Sequence, residues 1–384
     1  MNDSAPCVVS LLKELIAIKS INPPGLEEGV HEVLTTFFTR FKIPVQSQSI
    51  APGRKNLIAH LPGKNPHPLV FTGHMDVVPV SSKERLRWLS DPFVPTVQNN
   101  RLYGRGAADM KSGLAAAACA MAQVKYEGLT LPHDLLFCAT VDEEFTMRGS
   151  QALMSDPLLK DALGIVVCEP TSLALCTKGK GRTFGRITFY GSTGHGSSPG
   201  GCNAIDAAVD LIQRMKAEDF SRCGDPSAGE TFWRALSIHA GVDPDVVPDE
   251  CVLGIDARLA LDHDPKDIWL RMDRLLSQQS PPPRVVVLDE RAPFRTPKED
   301  PLVRLAQRLR HELHLTAPND VFPGTTDGTK LRAQGAPCII IGPGDLSCVH
   351  RENESVDLEE VHQAFLLYQR LMKEFTIEDP LLRP

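Results

Sequence analysis

Histidines and acids that could do chemistry stand at a few short, widely separated places in this chain. His74-Met75-Asp76 sets an imidazole two residues before a carboxylate. Asp109 ends the stretch Gly104-Arg105-Gly106-Ala107-Ala108-Asp109, Asp142-Glu143-Glu144 is a run of three acids, Glu169 precedes Pro170, and His350 follows Val349. An imidazole and an acid two apart on a strand share one side of it, which suits a metal ligand and a carboxylate that orients it. Several carboxylates in one partly desolvated crevice repel one another and push their pKa values upward. Divalent cations relieve that repulsion, and imidazole with carboxylates suits zinc. His74, Asp109, Glu144, Glu169 and His350 make five candidate ligands. If one of them bridges, they divide into two three-ligand sites, each with a position left for water. A water shared by two metals is a strong nucleophile at neutral pH. Glu143, beside a ligand yet not needed as one, stands where it can take that water's proton.

Such residues meet only if the elements between them bring them to one edge. Leu69 to Gly73, Leu135 to Val141, Gly164 to Cys168 and Cys338 to Ile341 are short, apolar on both faces and bounded by turn residues. That pattern belongs to parallel strands covered by helices on both faces, with a crevice beyond their carboxyl ends. Helices are expected at Val8 to Ile18, Val30 to Phe41 and, just after Asp109, Lys111 to Val124. Arg182 to Tyr190 and Val252 to Leu259 instead alternate apolar and polar residues, as half-buried strands do. The expected fold is therefore α/β, a mixed, largely parallel sheet flanked by helices, with a smaller α+β domain inserted. The expected domains are 1–178 with 293–384, and 179–292.

Composition narrows the alternatives. Lys plus Arg number 41 against 48 Asp plus Glu, a net charge of −7, which speaks against nucleic acid or an anionic membrane as partner. The longest near-continuous apolar run, Leu114 to Ala122, is about half of what a bilayer-spanning helix needs. The first six residues lack the pattern of a signal peptide, and the ten cysteines include no C-x-x-C pair; they read as reduced core residues of a cytosolic protein. Three motif-like stretches fail on a required group. Gly104-x-Gly106 has Asp109 where a dinucleotide fingerprint needs Gly or Ala, and Lys111-Ser112 lacks the preceding Gly of a P-loop. Gly196-x-Ser198-x-Gly200 would need an oxyanion-hole N–H from Pro199, which has none.

Taken together, His74-x-Asp76, Gly104-Arg105-Gly106-x-x-Asp109-Met110-Lys111-x-Gly113, Asp142-Glu143-Glu144 and Glu169-Pro170-Thr171 resemble the M20 metallopeptidases, within them the branch of acetylornithine deacetylase and succinyl-diaminopimelate desuccinylase. The resemblance runs in order from Leu11 to the carboxyl terminus. It implies one zinc on His74, Asp109 and Glu169 and a second on Asp109, Glu144 and His350, with cobalt or manganese as possible substitutes. It implies that Asp76 orients His74 and that Glu143 is the general base. His195 matches a histidine of the inserted lid and dimerisation domain that, in dimeric relatives, reaches the partner's site and stabilises the oxyanion, so a homodimer is expected. Arg258, Gly324 and Thr325 match positions near the substrate. Residues 179–182 depart from the Arg-Arg-Gly-Ser that desuccinylases tend to carry there. The activity implied is removal of an N-acyl group, acetyl or succinyl, from an amino acid or related amine. A dipeptidase or glutamate carboxypeptidase would use the same residues, and a non-catalytic binding relative would keep the fold while losing a ligand or the base.

Overall fold

The computed structural model describes residues 5–197, 199–218, 230–242, 245–318 and 320–377. They divide into two compact units: a larger one of residues up to Lys178, Arg295–Phe322 and from Thr326 onward, and a smaller one of Gly179–Phe294 with Pro323–Thr325.

The larger unit is built on one sheet. Seven of its strands lie in the order Val45–Ala51, Arg54–Leu61, His133–Thr140, Asn65–His74, Gly164–Val167, Cys338–Ile340 and Cys176–Gly179, and the short strand Asp320–Phe322 also pairs with the last. The centre is parallel: Asn65–His74 pairs in parallel with His133–Thr140 and with Gly164–Val167, which pairs in parallel with Cys338–Ile340. The outer pairings are antiparallel. Alternate residues such as Phe71, Phe137, Val166 and Ile339 join a core with the helices Val8–Ala17, Ser112–Tyr126, Pro301–Glu312 and Leu358–Glu374. Val70, Leu136, Ile165 and Ile340, on the other side of the pleat, are equally buried. Burial on both faces is why these strands read as unbroken apolar runs. The outer hairpin Val45–Ala51 and Arg54–Leu61 gave no such signal, because its first strand has no fully buried residue.

Two glycines decide how closely helix and strand ends approach. A Cβ on Gly113 would stand 1.9 Å from the Cys168 carbonyl oxygen, and one on Gly342 would stand 2.5 Å from the same atom. Helix Ser112–Tyr126 and the turn after Cys338–Ile340 therefore both press on the segment that leads into Glu169.

The smaller unit is an antiparallel sheet in the order Phe232–Ala240, Glu250–Leu259, Gly181–Tyr190 and Arg284–Arg291. Helices Ala204–Ala217 and Pro265–Leu276 bury Leu211, Met215, Ile268 and Met272 against Ile187, Phe189, Leu253 and Ile255. Both helices start on side-chain caps, Asn203 and Asp264, which accept the N–H two residues on. Strand Phe232–Ala240 buries little besides Trp233, which is why its pattern did not announce it. Among the described residues no helix is long and apolar enough to cross a membrane. Of the described cysteines, none in a disulfide, Cys7 and Cys202 are exposed rather than in the core.

Candidate active site

His74 is the last residue of strand Asn65–His74, and its side chain is buried. Its Nδ1 lies 2.9 Å from the main-chain carbonyl of Asp76 and 3.6 Å from the Asp76 carboxylate. A carbonyl oxygen only accepts, so Nδ1 carries the proton and Nε2 faces the acids. That Nε2 stands 3.0 Å from Asp109 Oδ1 and 3.7 Å from Glu169 Oε1. The strand stops at His74, so simple alternation does not carry through to residue 76. The Asp76 carboxylate turns instead to the next strand's loop, accepting the backbone N–H groups of Glu143 and Glu144 at 3.2 Å each and the amide of Asn22 at 2.8 Å.

Asp142, Glu143 and Glu144 follow strand His133–Thr140 in a tight turn, with Asp142 at a positive φ of 69°. Arg54 and Asn22 bind the Asp142 carboxylate at 3.0 and 3.1 Å and hold the turn from behind. Asp109 was expected at the mouth of a helix. It lies instead in an irregular turn, Ala107–Lys111, with non-helical backbone at Asp109 and Met110, and the helix begins at Ser112. Its carboxylate therefore points away from any cap and into the cluster. Oδ1 faces His74, and Oδ2 lies 3.2 Å from His350 Nε2. His350 is also 3.2 Å from Glu144. Candidate ligand atoms of His74, Asp109 and Glu144 lie within 4.8 Å of one another, as do those of His74, Glu143 and Glu169. The five expected metal-ligating residues are thus brought together with Glu143.

The electrostatics are those of an acid cluster short of cations. Burial raises the Glu169 carboxyl well above its usual range, with the charge of Asp109 adding to it; Glu144 is raised for the same two reasons. Burial also works against an ionised Asp109, but hydrogen bonds from His350 and His74 outweigh it and hold its carboxyl low. The hydrogen bonds with Asp109 and Glu144 push His350 up to about 11. For His74 burial acts downward, yet Asp109 and Glu169 carry it well above the ordinary imidazole value. His74 and His350 are the two imidazoles that face these acids. The donor chemistry fits a pair of divalent cations: each imidazole aims Nε2 inward, and one carboxylate presents an oxygen to each.

The remaining expected residues belong to the smaller unit. His195 is exposed, and its Nδ1 accepts the Ser197 N–H at 3.2 Å, which puts the proton of the neutral ring on Nε2. Ser198, of the rejected serine motif, lies outside the described residues. Arg258 bonds Asp256 at 2.9 Å, and Arg182, opposite it on the neighbouring strand, bonds the other oxygen of Asp256 at 2.5 Å. Arg291 stands opposite Arg182 on the far side, bonds Asp289 at 2.6 Å and donates to Thr325 Oγ1 at 2.9 Å. Gly324 is half-buried in the same turn as Thr325. Sequence reasoning singled out neither Asn22, Arg105, Arg291 nor Glu354. Arg105 between two glycines, and Asn22 before two prolines, are the visible traces they leave.

Comparison with known proteins agrees with this architecture. The model for peptidase family M20/M25/M40 matches residues 70–374. The succinyl-diaminopimelate desuccinylase of Bordetella parapertussis is 28% identical over 386 residues, covering 98% of this chain and 100% of that one. The acetylornithine deacetylase of Photorhabdus laumondii is 27% identical over 399 residues, covering 99% of this chain and 100% of that one. Among solved structures, an M20 family metallo-carboxypeptidase from Sulfolobus solfataricus superposes with a TM-score of 0.79 at 18% identity, covering 100% of both chains.

Proposed function

The chain belongs to peptidase family M20/M25/M40 and is a metal-dependent hydrolase of linear amide bonds; from that premise we propose that it removes an N-acyl group from an amino acid or related amine with two metal ions. The observation that carries this reading is the Asp109 carboxylate, whose two oxygens face two different imidazoles at 3.0 and 3.2 Å. His74, Asp109 and Glu169 would hold one cation, and Asp109, Glu144 and His350 the other. We read both as zinc, with cobalt or manganese as substitutes. Bound there, they supply Lewis-acid polarisation of the amide carbonyl and a water acidic enough to attack it at neutral pH.

The chain's own groups do the rest. Glu143 accepts the proton of the attacking water and returns it to the leaving nitrogen, and its backbone N–H on Asp76 ties the turn that carries it. His195 of a partner subunit, in a homodimer, donates its Nε2–H to the oxyanion that forms on the substrate carbonyl. Arg258 holds a substrate carboxylate, with Gly324 and Thr325 beside it; a free carboxylate is common to N-acyl amino acids and dipeptides. The two named enzymes that match nearly end to end support the acyl side of that choice.

The test is direct. Purified chain loaded with zinc should bind about two ions per chain and turn over N-acetylornithine or N-succinyl-diaminopimelate, and exhaustive chelation should abolish this. Activity that survives chelation, or an intact chain that takes up less than one ion, ends the reading. Turnover confined to a dipeptide panel replaces the deacylase with a peptidase.

A further inference from the structure

Asp109 and His350 are the two candidate ligands that do not sit at a central strand's end. Both loops instead spring from a small separate sheet, in which Arg101–Tyr103 pairs with Ser355–Asp357. Asp109 comes shortly after Tyr103, and His350 shortly before Ser355. Glu354, fully buried, lies between them. Its Oε1 accepts the backbone N–H of Ala108 at 3.0 Å and that of Asp109 at 3.1 Å. Its Oε2 accepts from Arg105 Nη1 at 2.6 Å, and its carbonyl accepts the Gly104 N–H at 3.0 Å. Arg105 is equally buried. The same guanidinium reaches the Arg351 carbonyl at 3.3 Å and Glu84 at 2.5 Å, with the Trp88 ring 5.5 Å away. The backbone of Asp109, at φ −117° and ψ 95°, has left the helical ladder, so a side chain does what a helical carbonyl would otherwise do.

We infer that Glu354, oriented by Arg105, is a positioning residue that fixes the spacing of Asp109 and His350 and thereby governs the affinity of the cation those two share with Glu144. The inference rests on the two-cation reading above. Three residues of chain separate Glu354 from His350, so a shift of the Glu354 carboxylate moves the amides of residues 108–109 relative to the imidazole that must meet them. The cation held by His74, Asp109 and Glu169 depends on this less, because His74 and Glu169 follow sheet strands. Partners of this kind, one step removed from the metal, typically contribute roughly 10–100-fold in affinity.

The experiment is a zinc titration of the cation-stripped full chain by calorimetry, repeated with cobalt for its absorption bands, alongside thermal unfolding of the stripped chain. Wild type should show two binding events. In Glu354→Gln the amide nitrogen must face either Arg105 or the two backbone N–H groups, donor against donor. That variant should keep one event and weaken the other roughly 10–100-fold, with the cobalt bands of the weakened site changed and unfolding still cooperative. Arg105→Lys, which cannot span Glu354, Arg351 and Glu84 together, and Glu84→Gln, which leaves Glu354 in place, should weaken the same event by less. They decide the matter if Glu354→Gln does not fold. Wild-type affinity for both cations in these variants, or equal loss at both, overturns the inference. A wild-type chain with fewer than two events overturns the two-cation reading instead.

Discussion

Two charge clusters of opposite sign occupy the two units, and they are built on different principles. In the larger unit Asp109, Glu143, Glu144 and Glu169 stand on loops, largely buried, with His74 and His350 facing them. In the smaller unit Arg258, Arg182 and Arg291 stand side by side across three paired strands, around Asp256 and Asp289. Loops can converge from several directions on a point, which is what a small, highly charged ion requires. A rung of strand residues faces one way and holds direction better than it concentrates charge. Arg258, bonded to Asp256, still leaves 35% of its side chain open to water. One cluster is buried and drawn to a point, the other is spread along a partly exposed sheet face.

The largest effect should come from the acid cluster. Glu143→Ala should lower turnover by about 10²–10⁴-fold while cation stoichiometry stays the same, read by steady-state rates and metal analysis on one preparation. If a cation leaves with the carboxylate, Glu143 is a ligand and the division of labour inside the cluster is wrong. Next in size is His195→Ala, at about a hundredfold in kcat. Mixing it with Glu143→Ala should recover part of the rate in heterodimers, and no recovery would separate His195 from the reaction. The smallest effect belongs to the arginine rung. Arg258→Ala should raise KM by about tenfold with little change in kcat, as expected for one charged hydrogen bond of about 1.5–3 kcal/mol partly shared with Arg182. A fall in kcat at constant KM would mean that the rung acts on the reacting atoms, and the contrast between the clusters would fail.

The central strands could be read from sequence because burial on both faces leaves a largely apolar run, and three of the four runs lead directly into the histidine or acids they carry. The course of Asp109 could not. An aspartate before an alanine-rich stretch reads as a cap, and only contact with Glu354, remote in the chain, explains why the backbone leaves the helix there. The role of the Asp76 carboxylate was hidden for a similar reason: its partners are amides of residues 143 and 144, and backbone amides have no residue type to signal them. Arg182 and Arg258 lie 76 positions apart in sequence and become neighbours only through strand register.

The alanines of helix Ser112–Tyr126 have a consequence for the whole assembly. From Ser112 to Ala122 every side chain is buried, and the helix packs against the sheet and against helices Val8–Ala17 and Leu358–Glu374. Methyl groups therefore act as a shim of set thickness between the layers. On one side of that shim the Lys111 ammonium is tied to the carbonyls of Leu15 and Ile18; on the other, the sheet ends in His74. The least reactive stretch of the sequence is thus its gauge, and a single added methylene there would be felt as misalignment in residues it never touches.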